Sequence, residues 1–154
     1  MGLTFGMWWV YYMLPSAPVL HQHRNRGFVW GYGQMLTVAA IVATGAGLHV
    51  AAYFIEHKAH IGPLATLLSV AIPLAVFLGA IYALHYYLVR RFDPLHIWLL
   101  AGTAAMLALA VIAVLAGVDM AVCLIILTLA PAVSVVGYEM LGHRHQAEVL
   151  ATPH

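Results

Sequence analysis

Charge is what this sequence has least of. Of 154 residues, 7% are charged, against 64% that are hydrophobic. A water-soluble domain carries roughly 25% charged residues, so the surface of a soluble fold cannot be covered here. The mean hydropathy of +0.95 agrees. Cysteine is nearly absent too. Cys123 stands alone in an apolar run, which excludes an intrachain disulfide framework and reads as a buried, inert thiol. The six bases are scattered along the chain, so no nucleic-acid-binding patch forms. The start has no basic segment, and Trp8, Trp9, Tyr11 and Tyr12 are too bulky for a secretory leader with a small-residue cleavage site. What remains is an integral membrane protein.

A helix needs about 20 apolar residues to cross the hydrocarbon core. Four stretches qualify: 28–55, 64–89, 95–118 and 120–141. Backbone groups inside lipid must be satisfied within the segment, so each reads as a helix. The fold class is an all-α helical bundle. Residues 1–14, "MGLTFGMWWVYYML", are apolar but short. At 1.5 Å per residue they cover about 20 Å, less than the roughly 30 Å of hydrocarbon. They are expected to form a short helix that resembles the closing part of a span. Residues 1–141 then make one transmembrane domain, and 142–154 a tail.

Arg24 and Arg26 precede the first full span, Arg90 and Arg91 follow the second, and Arg144 follows the fourth. All fall on one face of the membrane, and Lys58 lies opposite. The positive-inside rule puts the arginines and the C-terminus in the cytoplasm.

Lipid tails are as apolar as leucine, so membrane helices associate through small residues that let backbones approach. Ala39, Ala43, Gly47 and Ala51 recur every four residues on the first full span. Ala71, Ala75, Gly79 and Ala83 do so on the second. These two ladders are expected to face each other. Pro73 and Pro131 lie inside spans and should bend them.

Ionisable groups within spans are expensive and therefore functional candidates. Toward the outer face, His49, Tyr53, Glu56 and His60 follow a helical spacing, with His57 beside them. His49, Glu56, His57 and His60 are the ligand types of a zinc-like metal. The rise from His49 to Glu56 is about 10 Å, too long for one ion without further ligands. Gly62-Pro63 also stands ready to end the helix. A hydrogen-bonded or pH-responsive cluster is the alternative. Toward the cytoplasm, Tyr32, Gln34, His85, Tyr86, Tyr87, Tyr138 and Glu139 share a depth with Arg90 and Arg91. Glu139 could pair there with His85 or Arg90, as a structural ion pair or as part of a proton or solute path. Bis-histidine haem is disfavoured, because His49 and His85 lie more than about 20 Å apart along the membrane normal. No cofactor is expected. No nucleophile elbow, zincin motif, phosphate loop or zinc-finger cysteine pair occurs, so no catalytic residue is assigned and an enzyme is not expected.

The stretches "GLTFGMWWVYY", "HQHRNRGFVWGYGQM" and "AAIVATGAGLHVA" resemble the low temperature requirement A (LtrA) family of bacterial membrane proteins. In that family a Trp-Trp-x-Tyr-Phe-like stretch closes one span. A Tyr-Gly-His-like start and a Gly-x-Gly-Leu centre mark the next. Here these read Tyr32-Gly33-Gln34 and Gly45-Ala46-Gly47-Leu48. The resemblance runs from Gly2 to about Val89 and continues more weakly. Family members are typically more than twice this length, with a Glu-Leu-Phe-Phe-Asp-Leu-like start and a Leu-Gly-Glu segment absent here. The resemblance therefore implies the C-terminal portion of such a protein, or a short relative, in the bacterial inner membrane. The family name records growth in the cold and implies no reaction.

Two functions follow as expectations. The first is a non-enzymatic multi-pass protein of stress or cold adaptation holding a small-solute, ion or proton pathway. His85, Tyr138 and Glu139 would line its inner half, with His49 and Glu56 at the outer mouth. The second is a structural or accessory subunit of a larger membrane complex or homo-oligomer. It would present residues 1–14, or contact lipid or pigment through Trp8, Trp9, Tyr11, Tyr12, Trp30 and Trp98.

Overall fold

The computed structural model describes residues 1–13, 27–58, 60–89 and 94–151. For residues 13, 88–89, 94–97 and 138–151 it describes the backbone alone. The described chain is helical throughout: α1 (Gly2–Met13), α2 (Gly27–Ile55), α3 (Pro63–Val89), α4 (Pro94–Leu115) and α5 (Met120–Ala151). Four helices are long and apolar enough to cross a membrane, over Gly27–Ile55, Pro63–Tyr87, Trp98–Leu115 and Met120–Gly137. The sequence places α5's end at Leu141, where polar residues begin. The helix instead continues to Ala151, because polar composition ends a span without ending a helix.

The bundle is built from two antiparallel hairpins, α2–α3 and α4–α5. Each closes with the same local device. At the end of α2, the Lys58 N–H donates to the Tyr53 carbonyl (2.9 Å) and the His57 N–H to that of Phe54 (3.0 Å). At the end of α4, the Val118 N–H donates to Ala113 (3.0 Å) and the Gly117 N–H to Val114 (3.0 Å). Both are Schellman motifs, in which a residue in the left-handed region lets the chain reverse and satisfies the last carbonyls. That residue is His57 at φ 57° in one turn and Gly117 at φ 78° in the other. The following helices are capped differently. Gly62 and Pro63 start α3, with Pro at a position whose N–H would be unpaired anyway. Asp119 starts α5, its carboxylate accepting the Ala121 N–H at 2.8 Å.

α3 is the inner helix of the bundle, with 44% of its apolar window buried against 22% for α2. Leu67, Val70, Leu74, Phe77 and Leu78 of α3 meet Cys123 and Leu127 of α5, Val114 of α4, and Met7 and Val10 of α1 in one continuous core. α1 lies along α5. Leu3, Met7 and Val10 form its buried face, and Gly6 rests against Pro131, where a Cβ would come within 2.9 Å of the proline Cγ.

Candidate functional site

Among the described glycines, the tightest approach is where α2 crosses α3. A Cβ on Gly47 would overlap the Ser69 carbonyl oxygen, with Val70 N at 2.9 Å. The identity of that oxygen has a reason in the sequence. Pro73 has no N–H to offer the carbonyl four residues earlier, and that carbonyl belongs to Ser69. The hydrogen standing in place of a Gly47 Cβ points at this freed acceptor, a weak Cα–H···O contact. Ser69 Oγ donates to Thr66 O at 2.7 Å and lies 3.5 Å from Gly47 O, which closes the crossing.

This crossing corrects the expected ladders. The buried line on α2 runs Thr37, Ala40, Thr44, Gly47 and Ala51. Of the eight small residues expected at the contact, Gly47, Ala51 and Ala71 are buried. Ala39, Ala43, Ala75, Gly79 and Ala83 are exposed. Ala39 and Ala43 line an open apolar groove beside Ala65, Ile72 and Pro73. The reason is geometric. Steps of four residues rotate about 40° each around a helix with 3.6 residues per turn, so a four-step ladder leaves the contact. Alternating steps of three and four stay on it, and the buried line has that spacing.

The buried polar side chains among the described residues are Thr37, Thr44, Thr66, Thr103 and Ser134. The threonines satisfy themselves on their own helices. Thr37 donates to Gly33 O (3.1 Å), Thr44 to Ala40 O (2.8 Å), Thr66 to Gly62 O (3.1 Å) and Thr103 to Leu100 O (2.8 Å). A back-bonded hydroxyl presents its methyl outward and packs as an apolar residue. Ser134 is different: it accepts from Tyr82 Oη at 2.9 Å, a bond that crosses from α3 to α5. The sequence reading passes over Tyr82 and Ser134. Tyr82 lies three residues before His85, so the inner polar set already pointed to its neighbourhood.

The outer set does not assemble. α2 ends at Ile55, so Glu56, His57 and His60 leave the helical stripe that would have carried them. Among the described residues no three His, Cys, Asp or Glu side chains are close enough to hold one metal ion. Glu56 instead pairs with Lys58 at 2.6 Å, both exposed. His49 is exposed on α2, its ring edge-on to Tyr53 with centroids 4.8 Å apart. Of the inner set, Tyr32 and Tyr86 are exposed, and Gln34, His85 and Tyr87 half-buried. The side chains of Tyr138 and Glu139, and Arg90 and Arg91, lie outside the described residues, and with them the expected pairing of Glu139.

The aromatic residues of α1 form a connected face turned away from α5. Phe5 stacks on Trp8 (5.7 Å) and meets Trp9 edge-on (5.4 Å), and Trp8 leans on Tyr12 (5.2 Å). Trp8, Trp9 and Tyr12 are exposed and Tyr11 half-buried. Trp98 is exposed on α4, and Trp30 is half-buried on α2.

No curated protein and no solved structure matches this chain. A family model, described as the bacterial low temperature requirement A protein (LtrA), matches residues 1–131. That match takes in α1 through the first turns of α5, including the α2–α3 crossing and both turns described above. The chain belongs to the LtrA family and, with four membrane-length helices, is a multi-pass bacterial membrane protein.

Proposed function

We propose that this chain is a non-enzymatic structural module of a bacterial inner-membrane assembly, with its C-terminus in the cytoplasm. One observation carries the reading: among the described residues no ionisable Asp, Glu, Lys, Arg or His side chain is buried, and the core is filled by Phe, Leu, Val and Met. A conduit needs polar groups facing an interior route. His49 and Glu56, the candidates for an outer mouth, are exposed instead. The arginine asymmetry supports the orientation. Stress or cold adaptation enters through the family name and fits a packing role as well as it fits transport.

A second reading, a proton or solute pathway, draws on the inner half, where Tyr82 and Ser134 join α3 to α5 one turn from His85. One experiment separates the two. The protein is extracted from its own membrane in mild detergent for native mass spectra and reconstituted in liposomes for flux. The structural reading expects a particle heavier than one chain and no pH-dependent flux. A bare single chain carrying a flux that Glu139→Gln abolishes would overturn it.

A further inference from the structure

Pro73 and Pro131 share a depth in the bundle. α3 and α5 run parallel, each starting from a hairpin turn on the same side. Pro73 lies ten residues after the first residue of α3, and Pro131 eleven after the first of α5. Each is therefore about 15–16 Å from its turn, close to the roughly 15 Å half-thickness of hydrocarbon. Each also leaves the carbonyl four residues earlier, on Ser69 and on Leu127, without its helical donor. One rung of each ladder is missing at the same level. α2 has no proline, and α4 has one only at its first residue, so neither is interrupted there.

Packing differs on the two sides of this level. In the half that holds the turns, Gly47 lies against backbone atoms of Ser69 and Val70, and both hairpins are closed by Schellman motifs. In the opposite, open half, a Cβ on Gly33 or Gly137 would overlap the side-chain tips of Leu84 or Leu99. Leucine tips resting on glycine can rotate and slide, and a carbonyl held in a helix cannot. α1 belongs to the open half. Gly2 lies against Thr128 and Gly6 against Pro131, so α1 starts at the proline level and runs away from the turns beside α5. In the same half the Tyr82 hydroxyl ties α3 to Ser134 of α5 at 2.9 Å.

We propose that the bundle hinges at the level of its two prolines. The open halves of α3 and α5, joined by Tyr82 and Ser134 and carrying α1, swing together against α2 and α4, while the half with the turns keeps its shape. The motion goes beyond the structural-module reading, which holds whether or not the bundle bends. A swing of about 20° moves Ala83, ten residues past Pro73, by about 5 Å. The test is pulsed electron paramagnetic resonance on pairs of spin-labelled cysteines. It uses the full chain in lipid nanodiscs and a Cys123→Ala background. All the labelled positions are exposed. Leu64→Cys with Leu115→Cys spans α3 and α4 in the turn half, and Ala83→Cys with Leu100→Cys spans the same two helices in the open half. Ala83→Cys with Val136→Cys spans the tied ends of α3 and α5. The second pair is expected to give a distance distribution about 5 Å broader than the first, and the third one as narrow as the first. Pro73→Ala with Pro131→Ala restores both rungs and should narrow the second pair to the width of the first. Pro73→Ala alone, expected to narrow it in part, serves where the double variant does not fold. Tyr82→Phe should broaden the third pair. Equal widths for the first two pairs overturn the hinge. So does a broad second pair that survives the proline replacements, because the open ends then fray without a joint. A broad third pair with Tyr82 in place overturns the joint swing of α3 and α5.

Discussion

The two hairpins solve one problem at opposite ends. In α2–α3 the crossing is exacting: Gly47 meets backbone atoms of Ser69 and Val70, which cannot move aside. Its turn is makeshift, with a histidine in the left-handed region. In α4–α5 the turn is well made, with Gly117 at the left-handed position and Asp119 capping the next helix. Its crossing is forgiving: a Cβ on Gly102 would lie 3.2 Å from a methyl of Val133, and one on Gly137 would overlap the tip of the Leu99 side chain. Side-chain tips rotate and carbonyls do not. The comparison teaches that a glycine's importance is set by the atom opposite it.

The largest effect should come from breaking the first crossing. Gly47→Ala places a methyl on the Ser69 carbonyl, and overpacking of this kind costs about 3 kcal/mol. Gly102→Ala in the second hairpin should cost about 1 kcal/mol or less, because Val133 gives way. Unfolding midpoints in mixed micelles compare the two directly. Equal losses would dissolve the contrast between the crossings.

The turns invert the order. Gly117→Ala forces a Cβ into the left-handed region, at about 1 kcal/mol. It should lower the midpoint more than Gly102→Ala does, although it touches no other helix. A neutral Gly117→Ala would mean that this turn does not need its glycine.

How much of this was legible follows from the kind of signal involved. Span positions are set by composition, so α2 and α3 begin and end within a residue of the apolar runs. That α2 and α3 pack closely was also legible, and Gly47 was among the residues named. The facing residues were not: Ala39 and Ala43 share a repeat with Gly47, and Ala75, Gly79 and Ala83 one with Ala71, but all five are exposed beside the contact and not in it. Thr37 and Thr44 were missed because a hydroxyl reads as polar until its own helix satisfies it. The outer stripe of His49, Glu56 and His60 presumed a helix through His60. The Schellman turn at His57 ends it sooner, and nothing in the residue type announces that, since glycine is the usual sign.

Between the hairpins runs the Tyr82–Ser134 hydrogen bond. Hydrogen bonds between membrane helices average about 0.6 kcal/mol in double-mutant cycles. Tyr82→Phe, Ser134→Ala and the double variant should therefore give a coupling of about that size. Coupling near zero would mean that apolar packing alone docks the two hairpins.

The smallest effect has the opposite sign. His57 holds φ 57°, a region that costs an L-residue roughly 1–2 kcal/mol. His57→Gly removes that cost, but glycine loses more freedom on folding, which offsets roughly 0.4–1 kcal/mol. The net should be a gain of about 0.5 kcal/mol, read as a small upward shift of the same unfolding midpoint. His57 is exposed, and the loop's ion pair joins Glu56 to Lys58, so the substitution leaves that pair in place. A loss in place of the gain would show that the imidazole contributes at the membrane surface. The histidine turn would then be a feature of the first hairpin in its own right, and the glycine turn of the second would no longer be its better-made counterpart.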